Sequence, residues 1–536
     1  MRAFWAIFLF SIAPKLAAET RVTPNPNPAV PLAAVVQFSA PGYARATIDV
    51  SDGKHRWTLR YGNSHSPDKG LPVVGMRAGR KHTLALRAFD ANGKTIKKST
   101  LSHTTPALPA GDDFPPIKIN VREPKKMETG FTLFSPRRAG GSTPAFATGF
   151  GMLVAVDDTG EPVWFYRTNS RISDLERRPN GNVLYVTQDF RVTEIDLLGN
   201  VVNQWYSARR PQGPAKDAIP VDSLTFHHEV DVLPNGNLVV LGSEIRELDN
   251  YFTSETDEKS PRKRQRVMGD EMVEFDTAGK AVWKWSAFDN LDPYRIGYET
   301  FDGYWFRRDF AGVIDFSHAN GIVHDPSDDS LLINFRIQSA VVKVDRKTKQ
   351  IKWIAGEPEG WPANLRDKLF KMEGGARWFY HQHSPSMTPQ GTLLLFDNGN
   401  YGARPYNKAI PPNTAYSRAV EYQLDEKTRT MREIWTSETG GAGAVVSTAM
   451  GDVQWLPKSG NILAHYGALW PPGEREARKD WAGIHSNTNW SRIREYTHTK
   501  PAKLVWEAVI GNPKIKEPVS WVVYGGDRIP ELLPAP

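Results

Sequence analysis

Histidine is the residue type in this chain best placed to do chemistry at neutral pH, and its spacing is uneven. The stretch FYHQHSPSMTP (Phe379–Pro389) sets His381 and His383 one residue apart, and FHHEVDVLPNG holds His227 and His228 side by side. Counting back six residues from the proline of a recurring Pro-x-Gly turn lands on His228 and on His383. In a third copy with a longer turn, SHANGIVHDPSDD, the apolar pair Ile322 and Val323 aligns His318 with them. The two other alignable copies have Ser173 and Gly451 at that place. A lone strand histidine is a structural residue by default. Three at one repeat position, with none in the remaining copies, argue for a site, because a packing role would recur in every copy. On strand alternation His381 shares a face with His383, whereas His227 and His228 point to opposite sides.

Two chemistries suit three converging imidazoles. Neutral histidines can ligate zinc or copper with an open coordination position. Alternatively, one imidazole attacks an electrophile while the others, with a cation, hold anionic oxygens. Arg336, in LLINFRIQ, ends the strand that follows His318 and lies near the same end of a regular blade. A guanidinium is repelled by a metal ion but forms a fork on sulfate or phosphate oxygens, which favours the second chemistry.

The elements that must position these residues are short strands. One repeated element is a turn and a strand ending in tryptophan, found at Trp164, Trp205, Trp283, Trp353, Trp435 and, more weakly, Trp506. A second, ahead of most of these, is a pair of apolar strands around a tight turn, as in ERRPNGNVLYV, DVLPNGNLVVL and SMTPQGTLLLF. Repetition of this kind decides the fold. The expected fold class is all-β, a six-bladed β-propeller, in which radial closure leaves only short, protected sheet edges. The tryptophans are read as structural, packing an outer strand between blades. Equivalent positions on the innermost strands then converge on the central axis, a usual place for a ligand site.

Ahead of the propeller, ARATIDV, HRWTLRY and KHTLALRAF alternate as strands, and DANGKT holds an Asn-Gly hairpin turn. This predicts a small antiparallel β-sandwich over residues 19–123, with FPPIKINVREP as the linker and the propeller over residues 124–536. The GKT of that turn is no phosphate loop, since Ala88 stands where the loop needs glycine. The first eighteen residues, with Arg2, an apolar run from Ala3 to Ala13 and small residues at Ala17 and Ala18, read as a secretory signal peptide cleaved near Ala18. Lys15 and Leu16 fit that pattern less well, and a short uncleaved anchor is the lesser reading. The expected location is a bacterial periplasm, with no stable membrane anchor after cleavage. The chain has no cysteine, which excludes thiol catalysis and thiolate-bound metals. A net charge of +7, with PRKRQR directly after the acidic SETDEK, reads as a solvated loop rather than a nucleic-acid surface.

From GFTLFSP (Gly130) through WTSE (Glu438) the chain resembles the bacterial arylsulfotransferases, most closely in DFSHANGIVHDPSDDSLLINFRIQSAVVKVDRKTKQIKWIAG and HQHSPSMTPQGTLLLFDNGN. The N-terminal sandwich is similar to that family's arrangement as well. The resemblance implies transfer of a sulfuryl group from an aryl sulfate ester to a phenol by a ping-pong mechanism, without nucleotide donor, metal or other cofactor. By motif it puts the nucleophile on His383, with His228, His318 and Arg336 around the sulfuryl group, the same residues the repeat alignment selects. The disulfide that family members often have near the active site cannot form here. Partners are then small aryl sulfates and phenols, with the natural pair and the oligomeric state left open. A metal-dependent propeller hydrolase using the three histidines, and a non-enzymatic propeller binding an anionic aromatic ligand, remain as alternatives. A formylglycine sulfatase motif is absent, and a quinoprotein would have eight blades rather than six.

Overall fold

The computed structural model describes residues 19–139, 149–485, 489–513 and 520–536. The expected signal peptide, residues 1–18, lies outside them. The chain divides into two compact units, one built on Pro31–Ala107 with short segments from both chain ends, the other on Leu108–Leu532 with Asn27–Val30.

The smaller unit has a three-stranded sheet, Arg21–Pro24, Ala34–Gln37 and Leu71–Val73, and a four-stranded sheet. The latter runs Arg56–Tyr61, Arg45–Ser51, Lys81–Phe89 and Thr95–Thr104 in spatial order. Alternation along Arg45–Ser51 and Lys81–Phe89 buries Ile48, Val50, Leu84, Leu86 and Ala88 while their neighbours face out. Gly93, at φ +81°, makes the tight turn that joins the last two strands.

The larger unit is the six-bladed propeller. Blade one pairs Ser520–Ile529 with Phe131–Ala139, then Gly151–Val156 and Pro162–Thr168, so the last strand of the chain closes the ring in a blade of early strands. Blade two runs Ile172–Arg177, Val183–Thr187, Arg191–Ile195 and Val201–Ser207 from the axis outward. Blade three runs His227–Val232, Leu238–Tyr251, Lys263–Phe275 and Ala281–Ser286. Blade four runs Ala319–Asp325, Ser330–Phe335, Ala340–Asp345 and Ile351–Gly356. Blade five begins with His383–Met387 and Leu393–Asp397, followed by Arg418–Asp425 and Thr430–Thr436. Blade six runs Asp452–Trp455, Ile462–Leu469, Trp490–Tyr496 and Leu504–Ile510.

Two stretches sit differently from their expected places. The proline-rich stretch expected to be a linker contains Ile117–Arg122, which pairs with Leu504–Ile510 as the outermost strand of blade six. Its alternating half-buried and exposed side chains are those of an edge strand, a pattern the flanking prolines obscure. PRKRQR is no loop either. Its residues from Lys263 onward open a long hairpin strand whose side chains at that end are mostly exposed.

The repeated tryptophans bind blades together. Each sits on the fourth strand of its blade and reaches the turn between the third and fourth strands of the next. The indole N–H of Trp164 donates to the Leu197 carbonyl at 2.9 Å, that of Trp205 to Thr277 at 3.1 Å and that of Trp283 to Arg346 at 2.8 Å. Trp353 donates to Glu426 at 3.0 Å, and Trp506 completes the ring by donating to the Asp158 carbonyl at 2.9 Å. Trp435 reaches the equivalent turn through its ring face, 5.6 Å from His498. Every clamp thus combines a large apolar burial with an anchoring contact across the blade boundary.

The inner strands share a further device. In blades one to five the register shifts near the start of the inner strand, between Val523 and Gly526, Ile172 and Leu175, His227 and Val230, Ala319 and Gly321, and His383 and Ser386. Such bulges bend a strand and re-aim its side chains. His228, His318 and Ser384 take left-handed backbone conformations there, at φ +56°, +47° and +49°.

Trp205 tests the clamp. Trp205→Ala is expected to remove about 3–5 kcal/mol of stability through lost burial, and Trp205→Phe about 1–2 kcal/mol through the unpaired Thr277 carbonyl. Urea denaturation followed by circular dichroism measures both; equal losses for the two variants would contradict the assignment of the hydrogen bond.

Candidate active site

The inner strands converge on a cavity of about 450 Å³ at the axis of the propeller. His228, His318 and His383 all line it, as do Arg336 and, from the aligned position in blade two, Ser173. Blade one contributes Tyr524. In blade six, a side chain at the aligned Gly451 would run into the ring of Phe396, its Cβ falling 2.2 Å from Cδ1, so no histidine fits there. Thus the four residues expected to form a site share one cavity. His227 and His381 do not line it. His381 precedes its strand at φ +54°, so the alternation that placed it beside His383 does not apply.

His383 is held by Asn398, from the end of the neighbouring strand. Its Nδ1 lies 2.7 Å from Asn398 Oδ1. The amide orientation is settled by its other end, where Nδ2 donates to the carbonyls of Ser447 at 3.0 Å and Met450 at 2.9 Å. Oδ1 must therefore accept, Nδ1 must bear the proton, and the Nε2 lone pair is left for chemistry. Burial, reinforced by Arg336, lowers the imidazole to about 3, so it is neutral at physiological pH.

His228 is fixed in a similar way, through His227. Nε2 of His227 is 3.1 Å from the Gly242 carbonyl and from Ser243 Oγ, and 3.2 Å from Asp270, so it is the protonated nitrogen. His227 Nδ1 then accepts from His228 Nδ1 across 2.8 Å, and His228 Nε2 is left as an acceptor 3.3 Å from the Tyr304 hydroxyl. His227 therefore acts on the cavity through its neighbour. Burial, then the proximity of His227, holds the His228 imidazole well below its usual range.

His318 has an acid partner three residues earlier, with Nδ1 2.6 Å from Asp315 Oδ2. Burial drops this imidazole to about 3 and lifts the Asp315 carboxyl, both shifts opposing charge in the resting pair. The His228 and His318 rings are 5.1 Å apart, and Tyr304 packs against both, at 5.6 and 4.4 Å.

Arg336 follows the strand Ser330–Phe335, and its backbone N–H donates to the His318 carbonyl at 3.0 Å. Its guanidinium forms a buried ion pair with Glu299. Burial acts to raise the Glu299 carboxyl, but Arg336 and His485 together hold it well below the usual carboxylate range. Glu299, Tyr304 and Asp315 all come from the long connection between blades three and four, which lacks the repeat pattern and so gave no signal in the sequence. Asn398 carries no such signal either, because it lies one strand away from the aligned position. Among the described residues, Glu299 and Asp302 also form, with His485, a group whose ligand atoms lie within 4.8 Å of one another, close enough to hold a metal ion. None of the three aligned histidines belongs to that group.

Two family models and two bacterial sulfotransferases match this chain. The arylsulfotransferase (ASST) family model matches residues 118–507, and the arylsulfotransferase Ig-like domain model matches residues 21–106. Arylsulfate sulfotransferase AssT of Escherichia coli O6:H1 is 36% identical over 336 residues, 52% of this chain and 51% of that protein. The AssT of Lelliottia amnigena is 26% identical over 248 residues, 38% of this chain and 41% of that one. The chain thus spans about half, or less, of the length of these relatives. Among solved structures, a protein of unknown function from Bacteroides caccae aligns over 74% of this chain and 99% of its own, at 12% identity and a TM-score of 0.37.

Neutral burial of the site histidines has a measurable consequence. Their folded pKa values lie below the unfolded value of about 6.5, so the unfolded chain binds more protons as pH falls from that value towards 3, and stability is lost across that window. His465, fully buried in blade six with neither ring nitrogen hydrogen-bonded, behaves alike, with a pKa lowered to about 3 by burial. Urea midpoints are expected to fall steadily from pH 7 to pH 4, and His465→Leu to make the fall shallower. A midpoint flat over this range would show that these rings protonate without cost.

Proposed function

The chain belongs to the arylsulfotransferase family, and we propose that it moves a sulfuryl group from an aryl sulfate ester to a phenol by way of a sulfated His383. The observation that carries this reading is the fixed amide of Asn398, which leaves His383 with a neutral ring, a protonated Nδ1 and a lone pair on Nε2.

In the first half-reaction Nε2 of His383 attacks the sulfur of the bound ester. The N–S bond forms, the S–O bond to the ring breaks, and the phenolate leaves with the electron pair. The positive charge that develops on the imidazole is spread towards Nδ1, whose N–H strengthens its bond to Asn398. Negative charge on the sulfuryl oxygens is met by Arg336, which Glu299 holds in place. As in phosphoryl transfer, little covalent work beyond this is asked of the protein, and positioning with electrostatic stabilisation does most of it.

In the second half-reaction an acceptor phenol takes the vacated place. Its oxygen attacks sulfur as its proton passes to Nε2 of His228 or His318, and the N–S electron pair returns to His383. Either base is prepared for a proton: His318 by Asp315 across 2.6 Å, His228 by the chain through His227 to Asp270. Neutral resting imidazoles are what both the nucleophilic and the basic role require.

The test is phenolate release from 4-nitrophenyl sulfate, with and without an added phenol and with a chelator. Acceptor-dependent release that survives the chelator is expected. His383→Ala is expected to abolish it, and Arg336→Ala to lower kcat by about 10²–10³-fold. Asn398→Leu, which lets the ring turn or take the other tautomer, is expected to cost about 10- to 100-fold. Loss of release with the chelator would move the histidines to a metal role, and full activity of His383→Ala would end the proposal.

A further inference from the structure

The cavity has a second cationic surface that the transfer of one sulfuryl group does not use. Arg137, from the second strand of blade one, Arg171, just ahead of the inner strand of blade two, and Arg308 line it together. Two further guanidiniums at the cavity pair with carboxylates, Arg336 with Glu299 and Arg307 with Asp302 at 3.3 Å, and Arg308 Nη1 donates to the Tyr304 carbonyl at 3.1 Å. Arg137 differs. It is 6% exposed, and its Nε donates to the Ile172 carbonyl at 2.6 Å. Its Nη1 meets only the weak acceptor of the Met450 sulfur at 3.9 Å, and its Nη2 is buried without a hydrogen-bond partner.

We propose that Arg137, Arg171 and Arg308 form an anion subsite, and that this chain favours phenols and aryl sulfates bearing a second anionic group on the ring, a carboxylate or a sulfonate. The proposal rests on the reading of His383 as the reacting centre for its catalytic part, and on the cavity alone for its binding part. A buried guanidinium whose Nη2 has no hydrogen-bond partner is costly unless an anion joins it. Arg137 and Arg308 also act on Arg171, which burial and then their charges push well below the ordinary guanidinium range.

The distances suit such a substrate. Arg308 Cζ sits 3.5 Å from the centre of the Tyr304 ring, which in turn stacks on His228. Arg137 Cζ lies 4.5 Å from the centre of the Tyr524 ring, itself 5.9 Å from His228. One aromatic side chain therefore separates the guanidiniums of Arg308 and Arg137 from His228. A substrate ring lying along Tyr304 and Tyr524, with its anionic tail at the arginines, then sits in the cavity that His383 also lines.

The experiment compares acceptors that differ only in charge, with 4-nitrophenyl sulfate as donor and the full chain as enzyme: 3-(4-hydroxyphenyl)propionate, its methyl ester, and 4-hydroxybenzenesulfonate beside phenol. The readout is the ratio of kcat/KM for each anion to that of its neutral counterpart. A ratio of about 10 or more is expected, the size of one charge-assisted hydrogen bond. In Arg137→Gln, whose amide can still donate towards Ile172, and in Arg308→Gln, that ratio is expected to collapse towards one. A wild-type ratio near one, or equal losses for charged and neutral acceptors, would overturn the subsite and assign the arginines to the sulfuryl group or to structure. Thermal unfolding identifies which variant is folded, and either one suffices. If no donor is turned over, calorimetric titration of the propionate and its ester decides the same question. Tighter binding of the anion that is lost in the variants keeps the subsite while the transfer reading fails, and equal binding of both ligands overturns it.

Discussion

Everything at the site depends on ring closure. Ser520–Ile529 pairs with Phe131–Ala139, so the last strand of the propeller completes a blade made of strands from near its start, and the six inner strands are forced to face a common axis. The clamps from one blade's tryptophan to the next blade's turn fix the rotation between neighbours, and Trp506 to Asp158 spans the same junction as the closing strand. Without closure, His228, His318 and His383 would lie on separate sheets with no shared space. With it, three residues from separate blades become parts of one cavity, and each bulged strand start turns its side chain inwards.

Within that cavity, the governing constraint is the cost of burying charge. The fold meets it in two ways. Imidazoles are kept neutral, with His318 and His383 lowered to about 3 chiefly by burial, and each has its Nδ1 tied to a specific partner. The permanent cation Arg336 is instead paired with Glu299. Both solutions leave Nε2 atoms and part of a guanidinium directed at the space where a sulfuryl group would change hands. No reorganisation of charge is needed before reaction, and this is the condition under which electrostatic stabilisation is strongest. Arg137, whose Nη2 is buried without a hydrogen-bond partner, departs from this rule, which is why it points to a ligand.

The sequence is legible where the repeat imposes a pattern. A blade must present an apolar strand, a tight turn, another strand and a clamp, so the six tryptophans and the Pro-x-Gly turns mark the blades, and an exception at a repeated position stands out. His228, His318 and His383 are such exceptions, and Arg336 ends the strand that follows His318. The repeat could not lead to Glu299, Tyr304 or Asp315, which lie on an irregular connection whose path follows from packing and not from periodicity. Nor could it find Asn398, because a strand-end asparagine in FDNGN looks like any turn residue until the adjacent strand is in place. Ile117–Arg122 was hidden for a related reason: an edge strand needs a partner nearly four hundred residues away, and only closure supplies it.

The central claim is that His383 becomes covalently sulfated. Incubating the full chain with 4-nitrophenyl sulfate in the absence of any phenol, then quenching and mapping peptides by mass spectrometry, tests it directly. The account predicts one sulfuryl adduct, located on His383 in the peptide containing HQHSPSM, formed with a stoichiometric burst of nitrophenolate and discharged on adding phenol. An adduct absent despite rapid acceptor-dependent turnover, or found on another residue, would contradict it.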